Sequence, residues 1–571
     1  MALRPEYLTF DKILSNRLFS IPSYQRAYSW KEKQRKELFN DILKLYQGKD
    51  CNRHHFMATI VCLDKNEKQM VGTDELVRVD VVDGQQRLTT LIILLKALAK
   101  KLVEKTDDEK EEAKKLQELL VKKDERLILL QTNHDSAKLF TNYLITGKIP
   151  AENQIKTAAE KNLVNAFNEC EKFINEHWCL LNNDDLLGLL ILIRHRLDFI
   201  FYTLQDEGAV YTVFEVLNSR GLEVDWLDKC KSMLMGVAFE KFTENVAKEK
   251  IKTLHRCWSN IYATIGKRSV SGQEILSISA TLRDVLPNSK LLSAEKALEF
   301  FRDEALKRPE SVVDISHWIE EVTQKFVECS EEIRLKAITD ISQARLLYIS
   351  INLSNLLPEV KTQILSYWEK ITFRIFGIYR KDSRTMVGDY VRLACKIING
   401  AGEEEILKDF IGISKKHPAV NIEFELANKD CYNNWTEEVR YFLYRYEEYL
   451  VGQKGGFLEK DIWNKIWVDS PSKTIEHIHP QKFGRDWEGK IGKNQEEVAD
   501  HVHRVGNLLL LPSSLNSKAA TQAFAAKKVI YGENHLRMMD TVMREDQWTL
   551  KEIEKREKEM VEFALKTWGD L

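Results

Sequence analysis

Residues 81–91 of the chain read VVDGQQRLTTL, and this stretch decides the fold predicted for the N-terminal part. An apolar, strand-like run precedes it and stops at Asp83-Gly84. Apolar side chains then recur at helical spacing, at Leu88, Leu91, Ile92, Leu95 and Ala99. The pattern predicts a strand, a tight turn and a helix. Three long polar side chains lie at the turn between two buried elements, which suggests a function: Gln85, Gln86 and Arg87.

The bulk composition is typical of a globular protein. The chain has 571 residues, which suggests about three domains. Its 85 basic and 87 acidic residues give a net charge of −2, so the total does not indicate a nucleic-acid binder, although a local basic groove is compatible with it. Nine scattered cysteines without a C-x-x-C pair argue against a disulfide framework and a structural zinc site.

No segment predicts a membrane or secretory role. The N-terminus lacks a charged-then-apolar signal pattern, and the longest apolar run, at 186–193, is too short to cross a bilayer. We therefore expect a cytoplasmic protein with reduced thiols and no membrane partner.

The pattern along the chain predicts an α+β fold that is predominantly helical. Residues 1–95 mix strand-like runs with helices, whereas the chain from residue 96 onward is mostly helical as far as VGQKGG at 451–456, which is linker-like. We predict three domains with boundaries at 1–240, 241–450 and 451–571.

A second polar constellation lies near the C-terminus. EHIHP at 476–480 ends a predicted strand, GNLLLLP at 506–512 contains another, and residues 513–531 are predicted to form a helix. A histidine there can deprotonate water, while carboxylate and amide oxygens can hold a divalent metal on a phosphate. Mg²⁺ or a similar ion suits such ligands.

These motifs resemble the HNH, or ββα-metal, nuclease motif. The resemblance implies that His477 is the general base, that Glu476 and Asn516 are metal ligands, and that Asn507 orients the histidine loop. Glu476 stands where the family commonly has Asp, and its side chain is one methylene longer. His479 and His503 stay open as alternatives to His477.

Polar clusters in the N-terminal part could hold phosphates. IPSYQRAYSW at 21–30 and VFEVLNSRGLEVDWLDKCK at 213–231 accompany the opening stretch. Arginine forks suit phosphate oxygens, and Gly84 precedes a helix N-terminus, which attracts anions. Carboxylates for a metal or water are available at Asp83, Glu215 and Asp228. The G-x-x-x-x-G-K-[ST] motif of a P-loop is absent from the sequence.

Together the clusters resemble the N-terminal domain of the GmrS/GmrD-like modification-dependent (type IV) restriction family, with a ParB/sulfiredoxin-like core. The resemblance implies that a nucleoside triphosphate (GTP, ATP or CTP) is bound and hydrolysed there, and that modified phage DNA is sensed. The implied pocket residues are Tyr24, Gln25, Arg26, Asp83, Gly84, Gln85, Gln86, Arg87, Glu215, Asn218 and Arg220.

Basic residues near these motifs are candidates for contacts with the DNA backbone, and such contacts would be salt-sensitive. The alternative is that they are ordinary solvated charges. The candidates are Arg374, Arg380, Lys381, Arg384, Lys482, Arg485 and Lys518.

The sequence thus predicts a nucleotide-dependent endonuclease that defends against phage by cleaving modified double-stranded DNA. One alternative is a ParB-like nucleotide switch that binds DNA through a degenerate nuclease domain. Another is a nuclease toxin that acts on unmodified nucleic acid. Assembly as a homodimer stays open.

Overall fold

The computed structural model describes residues 5–47, 54–71, 74–122, 127–132, 136–179, 185–205, 225–267, 270–284, 289–433, 435–454, 460–482, 484–492, 494–533 and 536–571. The fold is α+β and predominantly helical, as predicted. The chain forms two compact units, residues 1–280 with 293–327 and residues 281–292 with 328–571. The predicted boundaries of three domains, 1–240, 241–450 and 451–571, are a different kind of division from these compact units and stay a prediction.

The first unit contains a mixed six-stranded sheet. Its strand order is β1-β6-β3-β4-β2-β5. β1 is antiparallel to β6 and β4 is antiparallel to β3, whereas the other neighbouring strands are parallel. The strands are β1 (Glu6–Thr9), β2 (Arg17–Ile21), β3 (His55–Val71), β4 (Asp74–Asp83), β5 (Leu130–Thr132) and β6 (Leu197–Leu204).

Helices make up much of the rest of the first unit. They are α1 (Phe10–Leu14), α2 (Glu32–Tyr46), α3 (Gln85–Leu102), α4 (Asp107–Leu120), α5 (Ala137–Thr146), α6 (Ala158–Ile174), α7 (Leu186–His195), α8 (Trp226–Lys241), α9 (Glu244–Gly266), α10 (Gly272–Arg283), α11 (Ala294–Lys307) and α12 (Val312–Glu331).

The predicted strand, turn and helix at 81–91 are confirmed. β4 ends at Asp83, Gly84 adopts the left-handed conformation with φ 87°, and α3 begins at Gln85. A β-carbon at Gly84 would lie 3.2 Å from the carbonyl oxygen of Thr59, so the turn needs glycine for its backbone angle and for its close approach to β3. α3 is buried along nearly its whole length, which makes it the central helix of this core.

The second unit is largely helical. Its helices are α13 (Lys336–Thr339), α14 (Ser342–Leu353), α15 (Pro358–Thr372), α16 (Val387–Ile398), α17 (Glu403–Lys416), α18 (Ile422–Leu426), α19 (Thr436–Lys454), α20 (Lys460–Val468), α21 (Pro471–Thr474), α22 (Gln495–Val502), α23 (Ser513–Ala519), α24 (Phe524–Gly532), α25 (Arg537–Met543) and α26 (Leu550–Trp568).

A two-stranded antiparallel sheet lies among these helices. β7 (Ile475–His477) pairs with β8 (Leu508–Leu510), so that His477 lies opposite Leu508. Both strands were predicted. The single helix predicted over 513–531 is wrong, because the chain breaks after α23 at Ala520, whose φ is 29°. α24 then starts at Phe524.

The turn before β8 packs tightly on the C-terminal helix. A β-carbon at Gly506 would lie 2.2 Å from the carbonyl oxygen of Ile553 in α26, so only glycine fits. Arg556 of the same helix donates hydrogen bonds to the carbonyls of Gly506 and Leu508, each at 2.7 Å. This packing fixes the turn that carries Asn507.

Among the residues that the structure describes, no helix is both long enough and apolar enough to cross a bilayer.

Candidate functional site

A pair of histidines lies at the end of β7 in the second unit. His477 is buried, and its Nε2 lies 3.1 Å from Nδ1 of His503. Its Nδ1 lies 3.2 Å from the amide nitrogen of Gln481, an exposed residue of the following loop. Tyr432 contacts the edge of the His477 ring and stacks on His503. Both ring nitrogens of His477 are therefore engaged, one of them by a side chain at the surface.

Burial sets the protonation state of this pair. It lowers the pKa of His477 well below the usual value, and the neighbouring His503 and Lys527 lower it further. Burial also lowers the pKa of His503, against the attraction of Asp430. His477 is thus neutral at pH 7, and the lone pair of its unprotonated nitrogen faces either Gln481 or His503.

Asn507 holds the loop that follows β7. Its amide oxygen accepts hydrogen bonds from the backbone N–H of His479 at 2.8 Å and from the indole of Trp548 at 3.0 Å. Its amide nitrogen donates to the carbonyls of His479 and Val502. The side chain is fully buried, so these four bonds replace water and fix the loop beside His477.

Glu476 lies in a buried ion pair. Successive residues of a strand face opposite sides, and Glu476 correspondingly contacts a different set of side chains from His477. Its Oε1 lies 2.6 Å from Nζ of Lys527 and accepts a hydrogen bond from the hydroxyl of Tyr531 at 3.0 Å. Burial raises the pKa of Glu476, whereas Lys527 lowers it.

Asn516 reaches back from α23 to the start of β7. Its amide nitrogen donates to the carbonyls of Lys473 at 2.7 Å and Ile475 at 3.2 Å. Its amide oxygen accepts no hydrogen bond from the part of the chain that the structure describes. Asn516 and Glu476 carry oxygen donors of the kind that Mg²⁺ prefers. Their side chains contact different neighbours, and Lys527 pairs with the carboxylate.

The alternative base His479 is enclosed by protein. Its ring is fully buried against Trp487, and its Nδ1 lies 3.1 Å from the carbonyl of Pro480. Burial lowers the pKa of His479 to about 4. His503 is only half-buried and touches His477, which makes it the better placed of the two alternatives.

The predicted DNA contacts differ in where the structure places them. Arg380, Lys381, Arg384, Lys482, Arg485 and Lys518 are all exposed. Arg380 is joined to the loop that carries Tyr432, because it donates to the carbonyl of Asp430 at 2.8 Å. Arg384 pairs with Asp382, and Lys518 lies near Glu533.

The prediction was wrong for Arg374. Its side chain is fully buried and donates hydrogen bonds to the carbonyls of Trp568 and Gly569, the carboxylate of Asp570 and the hydroxyl of Ser414. It holds the end of the chain in place and cannot reach a phosphate.

In the first unit, two glutamines anchor the loop after β2. Gln86 accepts a hydrogen bond from the backbone N–H of Ser29 at 2.8 Å and donates to the carbonyl of Ala27 at 3.1 Å. Gln25 donates to the carbonyl of Val82 at 3.1 Å and accepts from Lys231 at 3.1 Å. Gln86 thereby joins this loop to the start of α3, and Gln25 joins it to the end of β4 and to α8.

Charged side chains converge beside this loop. Arg26 lies 3.2 Å from a carboxylate oxygen of Asp228 and 3.7 Å from one of Asp225. Lys231 lies 3.7 Å from Asp228, which also accepts a hydrogen bond from Tyr262 at 2.5 Å. Burial lowers the pKa of Lys231 to about 8. These four charged side chains therefore form a network in which Arg26 and Lys231 both lie near Asp228, rather than one isolated ion pair.

Asp83 and Arg87 flank the turn at the edge of this network. Burial raises the pKa of Asp83, while its bond from the backbone N–H of Gly84 and the nearby Arg87 lower it. Arg87 lies over the ring of Trp30 at 5.7 Å, and burial lowers its pKa. Both residues are half-buried, so they are accessible from one side.

A narrow cavity lies behind the turn. Its lining includes Arg26, Gln85 and Thr132, and its volume of about 10 Å³ is no larger than one water molecule needs. The side-chain oxygens of Gln85 and Thr132 have no hydrogen-bond partner within the described residues. A nucleotide would therefore contact the outer side of the cluster. Tyr24, also predicted for the pocket, stacks on His255 at 3.8 Å. Glu215, Asn218 and Arg220 lie outside the described residues.

Several neighbours of these sites were not identified from the sequence. Gln481 directly follows EHIHP, and Asp225 and Lys231 lie in the stretch at 213–231, but spacing does not show which side chains they contact. The others lie far along the chain from the motif that they contact. The neighbours not identified are Asp225, Lys231, His255 and Tyr262 in the first unit and Tyr432, Gln481, Lys527, Tyr531 and Trp548 in the second.

Comparison with known proteins gives two matches to family models. Residues 9–235 match the model described as the GmrSD restriction endonuclease N-terminal domain. Residues 417–563 match the model described as the GmrSD restriction endonuclease C-terminal domain. No individually curated protein matches the chain.

Proposed function

The chain belongs to the GmrSD restriction endonuclease family, and from this premise we propose that His477 is the general base of its DNA cleavage site. The supporting observation is a neutral, oriented imidazole at the end of β7, beside a loop that Asn507 fixes. This region lies within the match to the C-terminal domain. DNA is the substrate of a restriction endonuclease, and hydrolysis of its backbone needs a group that takes a proton from water.

His477 accepts this proton once one of its nitrogens is released. When the amide nitrogen of Gln481 donates to Nδ1 of His477, the ring proton is on Nε2 and points at His503. When the amide is turned over, its oxygen faces Nδ1, which then carries the proton, and Nε2 is the acceptor. Because Gln481 is exposed, rotation of its side chain opens Nδ1 to water. His503 then holds the ring in place.

A divalent ion is part of the proposal. Glu476 and Asn516 would hold Mg²⁺, which would supply Lewis-acid polarisation of the phosphate when bound. The ammonium of Lys527, which pairs with Oε1 of Glu476, would compete with the ion for this carboxylate. Titration calorimetry with Mg²⁺ tests this: Asn516→Ala should weaken binding at least about 10-fold. Equal affinity in that variant would remove Asn516 as a ligand.

The test of the nuclease site is cleavage by His477→Ala. A lost general base lowers the rate by about 10²–10⁴-fold, so we expect loss of cleavage while the circular dichroism spectrum is kept. His501→Ala, in the last turn of α22, is the matched control and should cleave normally. Normal cleavage by His477→Ala together with loss in His503→Ala would move the base to His503. A wild-type protein that binds DNA but cuts none of the substrates would favour a degenerate nuclease.

We further propose that the first unit binds a nucleoside triphosphate at the outer side of the cluster around Arg26, Asp83 and Arg87. The support is a pair of half-buried guanidinium groups beside the N-terminus of α3, where backbone N–H groups and the helix dipole favour phosphates. The low exposure of Arg87 would strengthen its contact with a phosphate.

Calorimetry with GTP, ATP and CTP tests this pocket. Arg87→Ala should weaken binding of the preferred nucleotide at least about 10-fold, since a charge-assisted contact is lost. Arg78→Ala is the control, because this exposed arginine of β4 pairs only with Glu67 among the described residues. Unchanged affinity in Arg87→Ala would exclude the pocket.

The proposed substrate is modified phage DNA, cut under nucleotide control in the cytoplasm. The support is the family itself, whose restriction activity implies discrimination between foreign and host DNA. Cleavage of DNAs with different base or backbone modifications, with and without each nucleotide, tests it. Equal cutting of unmodified DNA would favour the toxin alternative. Sedimentation of the protein with and without nucleotide would show whether a homodimer forms.

A further inference from the structure

A cysteine, a histidine and a glutamate meet on two packed helices of the first unit. Cys257 lies on α9, and His317 and Glu320 lie three residues apart on one face of α12. Sγ of Cys257 is 3.5 Å from Nδ1 and 3.7 Å from Nε2 of His317, and Nδ1 is 3.6 Å from Oε2 of Glu320. One ligand atom from each residue lies within 4.8 Å of the other two.

Two of these separations are close to the edges of a zinc coordination tetrahedron. With Zn–S near 2.3 Å and Zn–N or Zn–O near 2.0–2.1 Å, tetrahedral angles place the ligand atoms about 3.3–3.6 Å apart. The three donors are a thiol, an imidazole and a carboxylate, all common zinc ligands. We propose that Cys257, His317 and Glu320 bind one Zn²⁺ or a similar borderline-soft ion, with water as the fourth ligand.

The surroundings orient the donors. Asn260, one turn after Cys257, donates a 2.7 Å hydrogen bond to Oε1 of Glu320, which leaves Oε2 directed at the imidazole. The indole of Trp258 donates to the hydroxyl of Ser316 at 3.2 Å and so fixes the two helices next to the site. Such outer contacts hold metal ligands in place in proteins.

Burial argues against a reactive free thiol at Cys257. Cys257 is buried, and burial beside Glu320 raises the pKa of its thiol to about 12, so without a metal it carries its proton. Zinc binding replaces this proton: the S–H bond breaks, the Zn–S bond forms and one H⁺ passes to solvent. His317 and Glu320 are partly exposed, which gives the ion an entry path.

The ion would join the two helices. α9 also carries His255, which stacks on Tyr24, and Tyr262, which donates to Asp228. Zinc would therefore stabilise the helix that supports the charged cluster. No C-x-x-C pattern signals this site, because the ligands come from two helices distant along the chain.

Cobalt substitution of the full-length protein tests the site. After removal of metals by chelation, one equivalent of Co²⁺ should give a thiolate-to-cobalt charge-transfer band, which a site of oxygen ligands cannot give. Cys257→Ser and His317→Ala should both lose the band. In competition with a chelating dye, both variants should bind Zn²⁺ at least about 100-fold more weakly than the wild type. This loss is larger than the loss that removal of an outer-shell partner causes. His317 is exposed enough that its loss leaves the fold intact.

The controls are a buried cysteine and an exposed histidine elsewhere. Cys329→Ser, on the same helix as His317, and His195→Ala, at the end of α7, should keep the band and the affinity. Zn²⁺ should raise the melting temperature of the wild type but not of Cys257→Ser. A wild type without the band, a band that persists in Cys257→Ser, or rapid alkylation of Cys257 without metal binding would overturn the proposal.

Discussion

The two polar clusters distribute charge differently. In the first unit, Arg26 faces two carboxylates, and one of these, Asp228, also lies near Lys231. In the second unit, Glu476 and Lys527 form one closely paired, buried couple beside neutral imidazoles. A network can redistribute when one member is removed, whereas a single buried pair leaves an uncompensated charge. We therefore expect the same kind of substitution to have unequal consequences in the two units.

The largest expected effect follows removal of Lys527. Lys527→Met leaves the buried carboxylate of Glu476 without its cation, which should lower the free energy of unfolding by about 3–5 kcal/mol. Urea denaturation measures this. The double variant Lys527→Met with Glu476→Leu removes both charges and should recover most of the loss.

Arg26→Met is the matched substitution in the network. Arg26 is 28% exposed and Lys231 stays beside Asp228, so we expect a loss of about 1 kcal/mol. Equal losses for Arg26→Met and Lys527→Met would contradict the distinction between a network and a pair. A double variant no more stable than Lys527→Met would show that packing, not charge, determines the loss.

Local patterns in the sequence predict local structure in both units. The apolar run before Asp83 and the helical spacing after Gln85 predict the turn correctly, and the strands around His477 and Leu508 follow in the same way. Each of these elements is formed by neighbours in sequence, so periodicity suffices.

The partners within each cluster could not be predicted, because they depend on tertiary packing. Nothing near EHIHP signals that Lys527 pairs with Glu476. The sequence identifies Asp228 as a candidate ligand but does not show that it pairs with Arg26. Polar residues also serve the backbone: the sequence suggests a ligand role for Gln86, whereas its amide bonds to Ser29 and Ala27. Its role toward a nucleotide stays a prediction, as does the metal role of Glu476.

A second comparison between the units concerns how the free energy of unfolding depends on pH. The folded pKa of His479 is about 4 and that of His255 about 3, both below the unfolded value of 6.5 because burial disfavours the charged ring. As pH falls below 6.5 the unfolded chain takes up protons that the folded rings do not, so stability falls. One pKa unit corresponds to about 1.36 kcal/mol, so the loss from His479 approaches about 3 kcal/mol at pH 4.

Urea denaturation at several pH values, compared with His479→Gln and His255→Gln, separates the two contributions. His479→Gln should flatten the dependence between pH 6.5 and 4, and His255→Gln should flatten it down to about pH 3. Parallel curves for the wild type and both variants would show that neither ring resists protonation.

The smallest expected effect concerns the exposed arginines of the second unit. Arg380 is tied to the loop of Tyr432 beside the histidine pair, whereas Arg384 pairs with Asp382 and is 89% exposed. If one phosphate contact is lost, the slope of log K against log salt becomes shallower by about 0.9. We expect this for Arg380→Ala, measured by DNA binding to the uncleaving His477→Ala protein.

The control separates a specific phosphate contact from a general change of charge. Lys408→Ala removes an exposed cation of α17 and should leave the slope unchanged. Arg384→Ala should change it less than Arg380→Ala, because Asp382 already neutralises that guanidinium. Equal slopes for Arg380→Ala and Lys408→Ala would place the DNA away from the Tyr432 loop. Because a phosphate contact near His477 is needed to align the backbone with the base, that result would also weaken the assignment of His477.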